Sequence, residues 1–236
     1  MKAVSGPTYE VDEALHSRLS EKYSSFMPEF TEFTVGPSKV RVDKRIMDGL
    51  IRKPRQQVRL NLSILWVRLL KICGRLRIPA GFVNIAVILE EAVSLPLHVV
   101  FEDESEGALW GYIFIPPSQL KSPVAHFAFV LLHELCHCLV NIPDPKNPKE
   151  IYDYELLVDA LSIAALRQVV PPHTRRYRET IRSLSYVAAE EMKETLGPKA
   201  QREILRDPLA FVRKIVEIMP RQPEGQERTT SAEKEV

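Results

Sequence analysis

The chain reads as an α+β protein, rich in helices, with a small β-sheet and two packed helices that carry a metal site. Three observations predict this. Residues 123–140 and 147–170 have apolar positions at helical spacing and are bounded by proline-containing starts and stops. Two shorter runs rich in β-branched and aromatic residues, LHVVF at 97–101 and LWGYIFI at 109–115, flank a polar turn at 103–107. The two long helical segments hold His133, Glu134 and His137 on one, and Glu155 and Asp159 on the other.

Taken in order, residues 1–80 are expected to form an N-terminal helical region, with helices at 9–23 and 57–73, the second capped by Gly74. A further helix is expected at 79–93, ahead of the first strand. The helix at 123–140 opens with the Ser122 hydroxyl as N-cap and Pro123 at its first position, where a missing N–H is harmless, and stops at Asn141 and Pro143. Its Phe127, Leu131, Leu135, Cys138 and Leu139 fall opposite the histidines, so this back is expected to be dry. Asn147-Pro148-Lys149-Glu150 is a capping-box variant that starts the next helix, and Pro171-Pro172 ends it. Residues 173–220 supply C-terminal helices, at 174–196 and 207–219, broken at Gly197-Pro198. Residues 221–236 are polar, lack aromatics and are expected to be disordered.

Composition is that of an ordinary globular protein, 45% hydrophobic and 27% charged with a net charge of +1. The greasiest stretch, 58–73, carries Arg59, Arg68 and Lys71, which favours a buried helix over a membrane span. The first residues lack a signal-peptide pattern, and an odd count of 3 cysteines argues against a disulfide framework. A cytoplasmic location follows as the expectation. Charge is uneven: residues 39–77 hold 12 Lys/Arg against Asp43 and Asp48. Such a segment either lines a solvated helix face or meets an anionic partner, and nucleic acid is the partner class it leaves open. Oligomeric state is not legible.

Chemistry concentrates in His133-Glu134-Leu135-Cys136-His137. On a helix, residues i and i+4 share a face with β-carbons about 5–6 Å apart. Two imidazoles so placed can converge on one zinc at roughly 2.0–2.1 Å. Glu134, about 100° round the helix, lies near the metal without binding it and can serve as general base toward a zinc-bound water. Composition alone would produce this pattern in about one or two per cent of such chains, so its flanks must supply the rest. The connection 141–147 is short enough to make the two helices neighbours. Glu155 can then complete a His, His, Glu set that leaves a fourth position open. Asp159, one turn on, suits the distal N–H of a liganding histidine.

HELCH followed by Glu155-Leu-Leu-Val-Asp159 resembles the Glu-zincin (thermolysin-like) metallopeptidases, whose pattern is HExxH then ExxxD. Within that clan, YELLVDALSIAALRQVVPP is similar to the ImmA/IrrE-like peptidases. The resemblance spans roughly residues 81–172 and implies a zincin-like metallopeptidase core there. It implies one zinc per chain on His133, His137 and Glu155, with Glu134 as catalytic base. It also implies an edge strand that pairs with an extended substrate, for which Trp110, Gly111, Tyr112 and Ile113 are the candidates. A His or Tyr beyond the third ligand should steady the transition-state oxyanion; His173, Tyr177 and Tyr186 are available. His98, in the first strand, reads as structural.

The function expected is therefore zinc-dependent hydrolysis of peptide bonds in a specific protein substrate. Two alternatives stand beside it: a regulatory protein acting on a DNA-bound repressor or other partner, and a non-catalytic zinc module whose metal staples two helices.

Overall fold

The computed structural model describes residues 2–3, 13–25, 28–35, 38–51, 61–81, 83–103, 108–122, 124–140, 148–169 and 198–218. Within them lie strands β1 (Lys2–Ala3), β2 (Phe30–Val35), β3 (Ser38–Asp43), β4 (Asn84–Leu89), β5 (Leu97–Asp103) and β6 (Ala108–Ile115). The helices are α1 (Glu13–Ser25), α2 (Lys44–Ile51), α3 (Leu62–Leu76), α4 (Val124–Leu139), α5 (Pro148–Val169), α6 (Pro198–Arg206) and α7 (Pro208–Ile218). A 3-10 turn, Pro117–Lys121, leads into α4. The helix-rich α+β class is as expected.

The six strands form one mixed sheet in the order β1-β5-β6-β4-β3-β2. β4 runs parallel to β3 and to β6, while β2–β3, β5–β6 and β1–β5 are antiparallel. The hairpin expected from the runs at 97–101 and 109–115 is β5–β6, pairing Leu97 with Phe114 through Asp103 with Ala108.

Three expectations for the first half of the chain are corrected. The segment 79–93 is not a helix; its centre is β4. After Asn84, Ile85 to Leu89 is a continuous apolar run in which Ile85, Ala86, Val87 and Ile88 are all buried. Ile85 and Val87 enter the main core with α3, α4 and α5, whereas Ala86 and Ile88 enter a second cluster with Leu19 and Tyr23 of α1. A strand buried on both faces shows no alternation, and its β-branched content was the cue that should have decided against a helix. Residues 1–80 are likewise not purely helical, because they supply β1, β2 and β3 to the same sheet. In β3, Ser38, Val40 and Val42 are buried while Lys39 is exposed and Arg41 half-buried, so part of the basic segment has a period of two and belongs to a strand. Gly74, finally, lies inside α3. The helix ends at Arg77 in the left-handed region (φ 55°), with Arg77 N–H donating to Gly74 C=O and Ile78 N–H to Cys73 C=O, a Schellman closure. Its start is capped by Asn61, whose side chain accepts from the Ile64 N–H.

α4 and α5 fall close to their expected bounds. Phe127, Leu131, Leu135, Cys138 and Leu139 are buried, which makes the back of α4 as dry as its sequence implied. α4 lies close against β6: a Cβ on Gly111 would stand 3.1 Å from Cys138 Sγ and 3.2 Å from both Cys138 Cβ and Val83 Cγ1. α5 is packed by α3, α4 and α7, and Leu156 to Leu166 is buried throughout. α7 matches the helix expected at 207–219, with Asp207 Oδ1 accepting from the Ala210 N–H; α6 was not anticipated. The connection 141–147, the helix expected at 174–196 and the tail 221–236 lie outside the described residues. All three cysteines are free and buried. Among the described residues no helix is long and apolar enough to cross a membrane.

Candidate metal centre

Three elements converge at one end of the sheet. α4 brings His133, Glu134 and His137; α5 brings Tyr154, Glu155 and Asp159; β5 brings His98. His133 and His137, one helical turn apart, turn their Nε2 atoms toward each other at 3.1 Å. Glu155 faces both, with Oε2 3.4 Å from His133 Nε2 and Oε1 3.4 Å from His137 Nε2. One donor atom from each of these three residues lies within 4.8 Å of the others.

These separations suit zinc. Two donors at roughly 2.0–2.1 Å from a tetrahedral ion stand about 3.3–3.4 Å apart. The triangle here, 3.1, 3.4 and 3.4 Å, matches one face of such a tetrahedron in size. Among the described residues Glu155 Oε1 is buried and has no hydrogen-bond partner, only His137 Nε2 at 3.4 Å, a setting that suits a carboxylate oxygen facing a cation. Two imidazoles and one carboxylate form a set that zinc uses, and the fourth corner is left without a protein donor among the described residues.

Around the triangle, carboxylates face imidazoles. His133 Nδ1–H donates to Asp159 Oδ1 at 2.9 Å, which commits that nitrogen to the proton and leaves Nε2 as the ring atom facing inward. Burial opposes charge on His133, but Asp159 and Glu155 outweigh it and hold the imidazole well above its ordinary value. His137 has no such partner among the described residues; its Nδ1 is buried without a hydrogen bond to any of them. Burial, helped by His98, brings His137 down to about 4. Burial pushes Asp159 up despite the His133 bond. For Glu155, burial is overcome by the two histidines, leaving the carboxyl far below the usual range. Glu134 is buried too, yet the hydrogen bond from His98 and the charges of the neighbouring imidazoles keep it below the usual value. Among the described residues, the ion-pair partners of Glu134, Glu155 and Asp159 are all histidines. With neutral imidazoles, the three carboxylates leave a negative pocket for a cation.

The sequence reading anticipated five of these residues, His133, Glu134, His137, Glu155 and Asp159, and the structure brings all five together. It missed His98. Its Nδ1 lies 2.9 Å from Glu134 Oε2, and its ring stacks on His137 with centroids 4.3 Å apart at 11°. A signal existed: His98 shares a strand face with Val100, which packs on the main core, while Val99 points to the α1 side. A histidine on the helix-facing side of a strand that neighbours α4 is a site residue by position.

The proposed edge strand is corrected. β6 pairs with β4 along one side and β5 along the other, so Trp110, Gly111, Tyr112 and Ile113 have no free edge to offer. Trp110 and Tyr112 pack on the α1 side, with Arg41 over the Trp110 ring at 4.7 Å. Gly111 instead admits α4. β5 is the strand beside the site. β1 pairs with it only at Phe101 and Glu102, so Leu97 to Val100 has an unpaired outer edge among the described residues. His173, Tyr177 and Tyr186 lie outside the described residues.

Within the basic segment, Arg41 pairs with Glu32, Lys44 with Glu29, and Arg45 with Asp43. Arg68, Lys71 and Arg75 share the exposed face of α3, and residues 52–60 lie outside the described part.

No protein-family model, curated protein or solved structure matches the chain significantly.

Proposed function

We propose that this chain is a zinc-dependent peptidase of the Glu-zincin type, acting on an extended segment of a protein substrate. The observation that carries the reading is the 3.1, 3.4 and 3.4 Å triangle of His133, His137 and Glu155, with Glu134 beside it and outside the ligand set. Its sequence pattern, HExxH then ExxxD, supports the same chemistry.

Zinc held by these residues would supply Lewis acidity for activating water and polarising a carbonyl. The chain's own residues do the rest. Glu134 stays ionised at neutral pH in its buried setting, so it can accept the proton of an attacking water and pass it to the leaving amine. Asp159 fixes the orientation of His133, and the packed back of α4 fixes the helix on which both ligands and base ride. An extended peptide added to the outer edge of β5 at Leu97 to Val100 would gain main-chain hydrogen bonds beside the site. The substrate role expected of an edge strand would then fall to β5.

A structural staple is less well supported. α4 and α5 already share an apolar core, in which Leu131, Leu135, Leu157 and Leu161 are fully buried, and need no metal to be neighbours.

The test is elemental analysis of the purified chain with cleavage of a peptide library read by mass spectrometry. One zinc per chain and discrete cleavage products are expected, and Glu134→Gln should keep the zinc and lose the products. A chain that takes up no zinc, or a Glu134→Gln form that cuts as well as the parent, would sink the reading.

A further inference from the structure

Of the imidazoles and carboxylates around the triangle, His98 is the one the proposed chemistry does not yet use. It reaches the site from a different element than the others, and two contacts define it. Nδ1–H donates to Glu134 Oε2 at 2.9 Å, and the ring lies nearly flat on His137. The side chain is about four-fifths buried, at 18% exposure, so neither contact is a passing surface encounter.

A glutamate has three rotatable bonds, and a general base must be held to within about 0.5 Å of its working geometry. Nothing on α4 itself does this for Glu134, whose described hydrogen-bond partner is His98. With Oε2 tied, Oε1 is the oxygen left to receive a proton. The flat stack then makes the ring a spacer between the base and the ligand His137, so the two keep a set distance. Because His98 stands within the stretch of β5 that has no outer neighbour among the described residues, the strand that would receive a peptide backbone also carries the residue that aims the base.

We propose that His98 is the positioning residue of this site: it anchors Glu134 through Oε2, leaves Oε1 as the proton-accepting atom, and couples the base to the edge of β5. The proposal rests on the peptidase reading above. It predicts that His98 acts through Glu134 and not through metal affinity.

A double-mutant cycle on the zinc-loaded full chain tests this, with acetohydroxamate as the probe. That acid chelates zinc through its two oxygens and needs a nearby carboxylate to take its proton. His98→Phe keeps a flat ring and removes the donor; His98→Leu is a second donor-less form should the Phe ring not be accommodated, and His98→Asn restores a donor near the Nδ1 position. Zinc affinity should stay within about threefold of the parent in all three. Acetohydroxamate affinity, and kcat on any peptide the parent cleaves, should fall about ten- to a hundredfold in the Phe and Leu forms with KM little changed. His98→Asn should recover most of the loss. In a Glu134→Gln background, His98→Phe should add less than about twofold. Full additivity of the two substitutions, or unchanged probe affinity in the Phe and Leu forms, overturns the assignment while leaving the peptidase reading in place. A parent chain that binds neither zinc nor the probe overturns both.

Discussion

Replacing Glu155 by alanine tests the ligand set most directly. In the structure its two carboxylate oxygens face one Nε2 each at 3.4 Å, and the cluster holds no second carboxylate among the described residues to take over its corner. Zinc sites with four protein ligands bind with apparent free energies of about 10–16 kcal/mol, which is roughly 3 kcal/mol for each ligand. Losing one of three should therefore weaken zinc by about a hundredfold or more. Asp159→Asn keeps the shape but alters the partner of His133 Nδ1, and such outer partners are worth about ten- to a hundredfold. Glu134→Gln, whose carboxylate lies outside the ligand cluster, should stay within about threefold. Competition against a chromophoric chelator at pH 8, with stoichiometry from elemental analysis, ranks the three. The expected order of loss is Glu155→Ala, then Asp159→Asn, then Glu134→Gln. Retention of one zinc per chain at parental affinity in Glu155→Ala would refute the argument and move the third corner to another carboxylate.

Two further outcomes follow from the same geometry. In the metal-free fold His133 is held well above its ordinary value and so is protonated at pH 7, whereas His137, near 4, is already neutral. Zinc binding at pH 7 should then release about one proton, read by calorimetry in buffers of different ionisation heat, and zinc affinity should rise with pH until His133 deprotonates on its own. The sign for the metal-free fold is opposite: a raised histidine contributes stability that is full below about 6.5 and lost as pH climbs through the folded value. Release of no proton at pH 7 would contradict the His133–Asp159 arrangement. Separately, Gly111→Ala pushes a methyl group against the Cys138 and Val83 side chains at 3.1–3.2 Å, so these neighbours, and with Cys138 the α4 helix, must give by a few tenths of an ångström. A cost of about 1–3 kcal/mol is expected, with Tm lower by about 2–4 °C per kcal/mol, and an unchanged melting curve would show that α4 is not held that closely.

How much of this was legible in advance depends on whether the signal is local. α4 and α5 were readable because each carries its own punctuation and its own apolar face: prolines at the starts, Leu131 and Leu135 on one back, a polar His133 and His137 on the other front. β4 was not, because NIAVIL is buried on both sides and such a run has no periodicity to betray its conformation. β3 had a period of two in Ser38, Val40 and Val42, but the interleaved Lys39 and Arg41 drew attention to charge instead of to spacing. The end of α3 was misplaced for a different reason. A glycine is the usual left-handed terminator, yet here the Schellman bonds form around Arg77, three residues beyond Gly74.

The site divides along the same line. His133 to His137 is set by helical spacing, and Glu155 to Asp159 by spacing on the next helix, so both halves are local statements that a short connection joins. His98 is different: it lies 36 positions before Glu134, and the contact exists only because β5 runs beside α4. Which strand would be the edge was equally non-local. Leu109 to Ile115 is the stronger β-run of the hairpin, but strength of β-character marks a central strand as readily as an edge, and β4, unseen as a strand, was the missing neighbour that closes it. Once β4 is placed, β6 must be interior, the edge left open among the described residues passes to β5, and the histidine on β5 stands beside Glu134. Both the proposed substrate edge and the residue proposed to position Glu134 thus depend on the placement of one strand, and both fall within the same four residues, Leu97 to Val100.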